Sequence, residues 1–141
     1  MKKIILGIVA VIVSSSALAN ISATEADRTI RYFYKNYVFG HKDLALSDSK
    51  LGTPNFLKKL SAAYDYDCDA EPCYATYMLR TSAQDGPAEI SGVTQVVAKS
   101  NGWYRVNYRD MGWVGITDIK LVKSNGYLKL DDYKFIKSNV K

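Results

Sequence analysis

The stretch Asp65-Tyr66-Asp67-Cys68-Asp69-Ala70-Glu71-Pro72-Cys73 holds the densest set of chemically competent side chains in the sequence. Carboxylates at alternating positions and two thiols in C-x4-C spacing suggest a calcium loop, a metal or redox centre, or a disulfide. The calcium loop fails on geometry. With Asp65 at the first position, the glycine of the sharp turn becomes Ala70 and the bidentate glutamate becomes Thr76. The thiol spacing is not the C-x-x-C of redox and zinc pairs, and no second ligand pair exists, so no metal is expected. A Cys68–Cys73 disulfide is the expectation for an exported chain. It closes a loop of about six residues and contributes about 2 kcal/mol, enough to fix the shape of the loop. Asp65, Asp67, Asp69 and Glu71 then form a pinned acidic loop suited to contacting a protein partner.

Catalytic arrangements are scarce elsewhere. His41 is the single histidine, and its place between Gly40 and Lys42 reads as the end of a helix, not as a general base. There is no G-x-S-x-G, no H-E-x-x-H and no glycine-rich phosphate loop. The 11 tyrosines allow a carboxylate-plus-tyrosine pocket in principle. Tyrosines at alternating strand positions are more simply core or sheet surface. The reading is therefore a non-enzymatic protein without a cofactor.

The chain has 141 residues, 48% hydrophobic and 23% charged, which makes one folded domain and excludes a disordered chain. Its formal charge of +5 invites a nucleic-acid reading, which the N-terminus removes. Lys2 and Lys3 precede an apolar run from Ile4 to Val13, three serines and Ala17-Leu18-Ala19. That is a secretory signal, cleaved after Ala19, and the run is shorter than the roughly 20 residues of a membrane span. The residue directly after the cleavage site is Asn20 and not a cysteine, so neither a lipid anchor nor a stable membrane anchor is expected. The mature chain, 20–141, meets no cytosolic nucleic acid and resides in the periplasm. Its charge is segregated. Residues 21–63 carry seven basic and four acidic groups, residues 64–91 one and six, and residues 92–141 nine and four. Such asymmetry acts on encounter and partner choice more than on fold.

The elements that must position these groups follow from periodicity. Thr24-Glu25-Ala26-Asp27 resembles a capping box, and Ala26, Ile30, Phe33 and Tyr37 recur on one helical face before Gly40 stops the helix. Thr53-Pro54 opens a second helix with Phe56, Leu57, Leu60 and Tyr64 inward and Lys58 and Lys59 on the wet side. After Ile90 the pattern becomes strands: 93–98, 103–108 and 113–122, then 127–130 continuing through 133–136. Asn101-Gly102 and Asn125-Gly126 mark hairpin turns. Tyr104, Val106 and Tyr108 alternate inward, as do Val114 and Ile116, with Ile119 and Leu121 following after a slip. Helices followed by a run of strands read as an α+β domain with the first helix on one face of an antiparallel sheet.

The helix Arg31-Tyr32-Phe33-Tyr34-Lys35-Asn36-Tyr37, the Asp65-Tyr66-Asp67 step, Ala83-Gln84-Asp85 and the closing Asn125-Gly126-Tyr127-Leu128-Lys129-Leu130-Asp131-Asp132 resemble a bacterial envelope family, domain of unknown function 3828. The resemblance spans about residues 24–137 and departs at Leu128, where the family has Trp. It implies a cystatin-like, nuclear transport factor 2-like fold with helices in the concavity of a curved sheet. Similar periplasmic proteins include immunity proteins that block peptidoglycan amidases, so a secreted cell-wall hydrolase is the implied partner. A second resemblance runs through Asn101-Gly102-Trp103-Tyr104-Arg105-Val106-Asn107-Tyr108 and Met111-Gly112-Trp113-Val114, which look like the end of a bacterial SH3 domain that binds cell-wall peptides. An alternative to both is a small-ligand carrier, with a cone-shaped pocket lined by Phe33, Tyr37, Val106 and Ile116.

Overall fold

The computed structural model describes residues 20–40, 42, 50–67, 79–80 and 91–140. The expected export signal at 1–19, His41, and the pair Cys68 and Cys73 with Asp69 and Glu71 lie outside the described residues.

Helix α1 spans Ala23–Phe33. Its cap lies two residues earlier than the T-x-x-D reading placed it. The Ser22 hydroxyl accepts from the Glu25 N–H at 3.1 Å, which makes the start S-x-x-E. Ala26, Ile30 and Phe33 are buried as expected, but Tyr37 is not the next core residue. From Tyr34 to Val38 the helix widens into a π turn, with the Phe39 N–H donating to the Tyr34 carbonyl at 2.8 Å. The side chain of Asn36 holds the Tyr32 carbonyl at 2.8 Å. The inserted residue advances the helical face by about 100°. The buried stripe therefore continues through Tyr34 and Val38, and Tyr37 stacks half-buried on Phe33 with ring centroids 5.8 Å apart. Gly40 closes the turn, because a Cβ there would collide with the carbonyl oxygens of Lys35 and Asn36.

Helix α2 spans Pro54–Asp67 and starts as the sequence indicates. The Thr53 hydroxyl accepts from the Phe56 N–H at 3.2 Å, and the Thr53 carbonyl accepts from Leu57 at 3.0 Å. Phe56, Leu57 and Leu60 are buried. The helix runs through Asp65 and Asp67, so the acidic segment begins as a helical turn and not as a loop. Lys58 and Lys59 are both on the exposed side, as expected, but Lys59 also reaches across to the last strand. Its ammonium donates to Asp132 Oδ1 and to the Tyr133 carbonyl, both at 2.6 Å.

Strands β1 (Gly92–Ala98), β2 (Trp103–Asp110), β3 (Trp113–Ser124) and β4 (Tyr127–Val140) form an antiparallel meander in chain order. Three turns join them, each with two consecutive residues at positive φ: Asn101-Gly102, Met111-Gly112 and Asn125-Gly126. Such turns match the right-handed strand twist. On the inner face Tyr104, Val106 and Tyr108 stand opposite Ile119, Thr117 and Gly115. The inward residues of β3 are therefore 115, 117, 119 and 121 in one unbroken alternation, with no slip. Val114 and Ile116, expected inward, stand on the outer face. The misreading has a physical source: the two small inward positions, Gly115 and Thr117, exist to make room. A Cβ on Gly115 would overlap the Tyr108 ring, which also packs at 5.4 Å against Tyr34 from the π turn. The hydroxyls of Tyr34, Tyr108 and Thr117 are buried together, none aligned in a hydrogen bond. Burial raises the Tyr34 phenol above its ordinary value and pushes Tyr108 up to about 12, against the opposing pull of Thr117.

Two substitutions check this arrangement by urea denaturation. Gly115→Ala forces the Tyr108 ring out of place and costs about 1–3 kcal/mol. Met111→Asn puts a residue that tolerates the left-handed region at φ 50° and gains up to about 1 kcal/mol.

Candidate functional site

The described helices pack on the inner face, where Ala26, Ile30, Phe33, Tyr34, Val38, Phe56, Leu57 and Leu60 join the sheet's inward residues in one core. That leaves the outer face as a surface built from the alternate residues of every strand. Its central row is Val97, Arg105, Asp118 and Lys134, one from each strand in register. Beside it lie Asn107 and Ile116 on one flank and Trp103 and Lys120 on the other.

The central row is organised by one carboxylate. Asp118 has a side chain only 6% exposed, yet it sits on the side of the sheet that no described helix covers. Arg105 lies over it with Nε 2.9 Å from Oδ1 and Nη2 3.2 Å from Oδ2, while Lys99 Nζ reaches Oδ2 at 2.7 Å. A fork–fork pair of this kind fixes the plane of the guanidinium. Burial by itself would raise the Asp118 carboxyl. The hydrogen bonds and charges of Arg105 and Lys99 outweigh it and hold the carboxyl below its ordinary value. The negative charge is thus hidden beneath two cations whose own side chains stay 37% and 41% exposed. One row away, Lys134 Nζ stands 4.5 Å from the Trp103 ring centroid, holding that indole against the sheet. The face presents a fixed tryptophan, a fixed arginine and an isoleucine with an excess of positive charge. Aromatic and arginine anchors of this kind carry most of the energy of protein interfaces.

The residues singled out in the sequence do not converge. Asp65 and Asp67 fall in the last turn of α2, and the rest of the acidic set lies outside the described residues. Phe33 and Val106 are fully buried in the core, with Tyr37 stacked on Phe33. Ile116 pairs with Asn107 on the opposite face from Val106, so these four side chains do not line a common pocket. The segment that looks like the end of an SH3 domain forms β2, the β2–β3 turn and the start of β3.

Two clusters were not anticipated. The outer row had a visible signal, since Trp103, Arg105 and Asn107 alternate with the buried residues of β2, but Asp118 had none. The second cluster is at the other end of the sheet. Asp110, fully buried, receives Arg80 Nε at 3.1 Å, Arg80 Nη2 at 2.8 Å and the Ser91 hydroxyl at 3.1 Å. Ser91 also accepts from the Met111 N–H at 3.3 Å, which anchors the β2–β3 turn. Contacts across 30 and 19 residues leave no local pattern to read.

No family model matches the chain, and no curated protein matches it. Among solved structures it is similar to a crystal structure of a protein of unknown function from Bacteroides thetaiotaomicron VPI-5482, with a TM-score of 0.52 and 25% identity over 79% of this chain and 89% of that one. The chain is an α+β protein with two helices and a four-stranded antiparallel sheet. Among the described residues no helix is long and apolar enough to cross a membrane.

A carboxyl held low in the folded state stabilises the fold above its unfolded pKa, near 4, and that contribution is lost as pH falls through the folded value. Asp118→Asn should therefore lower stability at neutral pH and flatten its decline below about pH 4. Urea midpoints measured across that range check it; an acid limb identical to that of the unaltered protein would assign the decline to other carboxylates.

Proposed function

We propose that this chain is an exported, periplasmic, non-enzymatic binding protein that docks on a protein partner through the outer face of its sheet. The partner class is a peptidoglycan-degrading amidase, which the chain inhibits as an immunity protein. The helix-covered antiparallel meander is compatible with the cystatin-like, nuclear transport factor 2-like arrangement that the sequence resemblance implies. The observation that carries the reading is the outer row, in which a buried Asp118 holds Arg105 in one plane beside a tryptophan clamped by Lys134. Groups held this rigidly lose little further freedom on binding, which is what makes anchors effective. The sequence resemblance supplies the partner class, and the N-terminal signal supplies the compartment. A face with a cationic surplus favours an acidic counter-surface and a fast, salt-sensitive association.

The test uses the mature protein and a panel of purified secreted peptidoglycan amidases from the same source, with peptidoglycan hydrolysis as the readout. The unaltered protein inhibits. Trp103→Ala and Lys134→Glu each weaken inhibition about tenfold or more, with melting temperatures unchanged. If those variants inhibit fully while neutralising Asp65, Asp67, Asp69 and Glu71 together abolishes inhibition, the contact lies at the acidic segment and not at the outer face. No inhibition by the unaltered protein removes the inhibitor reading.

A further inference from the structure

The two edges of the sheet are unlike. The β4 edge is bridged at Leu130: Thr53 donates to the Leu130 carbonyl at 2.8 Å, and Leu130 donates to the Leu51 carbonyl at 2.9 Å. The strand itself carries Lys129, Asp131, Asp132, Lys134 and Lys137. The β1 edge, with sequence GVTQVVA, has no charged residue and no proline. Proteins ordinarily protect an edge with such residues, because an open row of N–H and C=O groups pairs with any available strand. Among the described residues this edge is protected only near its start, by the irregularity between Val93 and Gln95 and by the Arg31 bond to the Val93 carbonyl. Beyond it the ladder alternates, with Lys99 donating to Trp103 in β2 at 2.8 Å, so the main-chain groups of Val96 and Ala98 turn to the open side. No described strand pairs with them.

The space beside this edge is chemically selective. A groove of about 540 Å³ runs along the start of β1, lined by Arg31, Lys35, Phe39, Ser91, Gly92 and Val93. Arg31 reaches into it to donate from Nη1 to the Val93 carbonyl at 2.8 Å, held from behind by Asp27 at 2.9 Å. That bond marks where the edge already accepts an outside donor. Lys35, in the π turn, has no ion-pair partner among the described residues, and the Phe39 ring adds an apolar patch. We infer that the β1 edge takes up an extended acidic peptide segment as a fifth strand, its carboxylates seated in the groove on Arg31 and Lys35. Alternate side chains of an added strand point to one face, so every second residue faces the groove while its neighbours point to the outer side. A second copy of this chain fits less well. Antiparallel pairing of two β1 strands sets Lys99 of each copy against Arg31 and Lys35 of the other, a like-charge contact.

The inference is independent of the partner assigned to the outer face, and its test does not involve that partner. The probe is a fluorescein-labelled hexapeptide of alternating glutamate and valine, with its lysine–valine counterpart as control, titrated into the mature protein. The acidic peptide is expected to bind at least about tenfold tighter, a preference that shrinks as salt rises. Lys35→Glu should remove the preference. Ala98→Pro deletes an N–H that faces the open side and should abolish binding without moving the melting temperature. A hydrogen-exchange measurement on the unaltered protein should show slowed exchange at Val96 and Ala98 when the acidic peptide is present. Equal affinity for the two peptides, or no binding up to about 1 mM, overturns the inference. So does a dimer in sedimentation that Ala98→Pro dissociates, because the edge would then belong to a second copy.

Discussion

The phenol of Tyr108 lies across a strand position that has no side chain, Gly115, and beneath a second phenol, Tyr34, delivered by the π turn. Much of the architecture follows from that contact. Tyr34, four residues after Ile30, stays on the inward stripe, and the residue gained in the π turn makes Val38 and not Tyr37 the next buried position. Phe39 then completes the group, with its ring 5.7 Å from Tyr34 and 5.8 Å from Tyr108. Large rings bury much apolar area but need small neighbours to do so at close-packed density. Gly115 and Thr117 are those neighbours. The cost is local, since the tyrosine hydroxyls end in the interior beside Thr117 without aligned partners.

The second helix is held by a different principle. Besides its buried Phe56, Leu57 and Leu60, α2 is fastened to β4 by polar bonds at its first two turns. Thr53 caps the helix and donates to Asp131 Oδ1 at 2.9 Å, Asn55 donates to the Asp131 carbonyl at 2.9 Å, and Lys59 bridges Asp132 and Tyr133. The ladder shifts between Lys120 and Leu121, where Asp131 is the extra residue of β4, and that shift turns Asp131 toward the helix start. One irregularity therefore serves the sheet, the cap and the bridging of one edge together.

How much of this was legible depended on the range of each interaction. The asparagine–glycine turns, the Thr53-Pro54 start and the β2 alternation are local, and each is where the sequence places it. Met111-Gly112 adopts the same backbone without the asparagine signal, since Ser91 from outside the hairpin holds it. The π turn escaped because nothing in Tyr34-Lys35-Asn36-Tyr37 distinguishes it from an ordinary helical turn. Tyr37 satisfies a helical period as well as Val38 does, and only the tertiary packing decides between them. The face of β3 was misjudged for a related reason. Hydrophobicity favours Val114 and Ile116 as the buried residues, but the large ring on β2 requires small residues opposite it. The site residues were the least legible, because Asp118 becomes an organising group only once β1, β2 and β3 are aligned.

Charge distribution connects the fold to recognition. The C-terminal third carries nine basic and four acidic groups, but its surface is more cationic than that count suggests. Asp110 and Asp118 are buried or nearly so, and each is neutralised by residues that remain partly exposed. A carboxylate beneath a guanidinium does not project its charge outward as far as one at the surface; it fixes where the positive charge sits. The sheet thus exports positive potential from both its outer row and, through Arg31 and Lys35, its open edge. The middle segment of the sequence, with one basic and six acidic groups, has the opposite sign. Charge of opposite sign in successive stretches of one chain favours partners whose charges match that order, which ties orientation to charge and not to hydrophobic area alone.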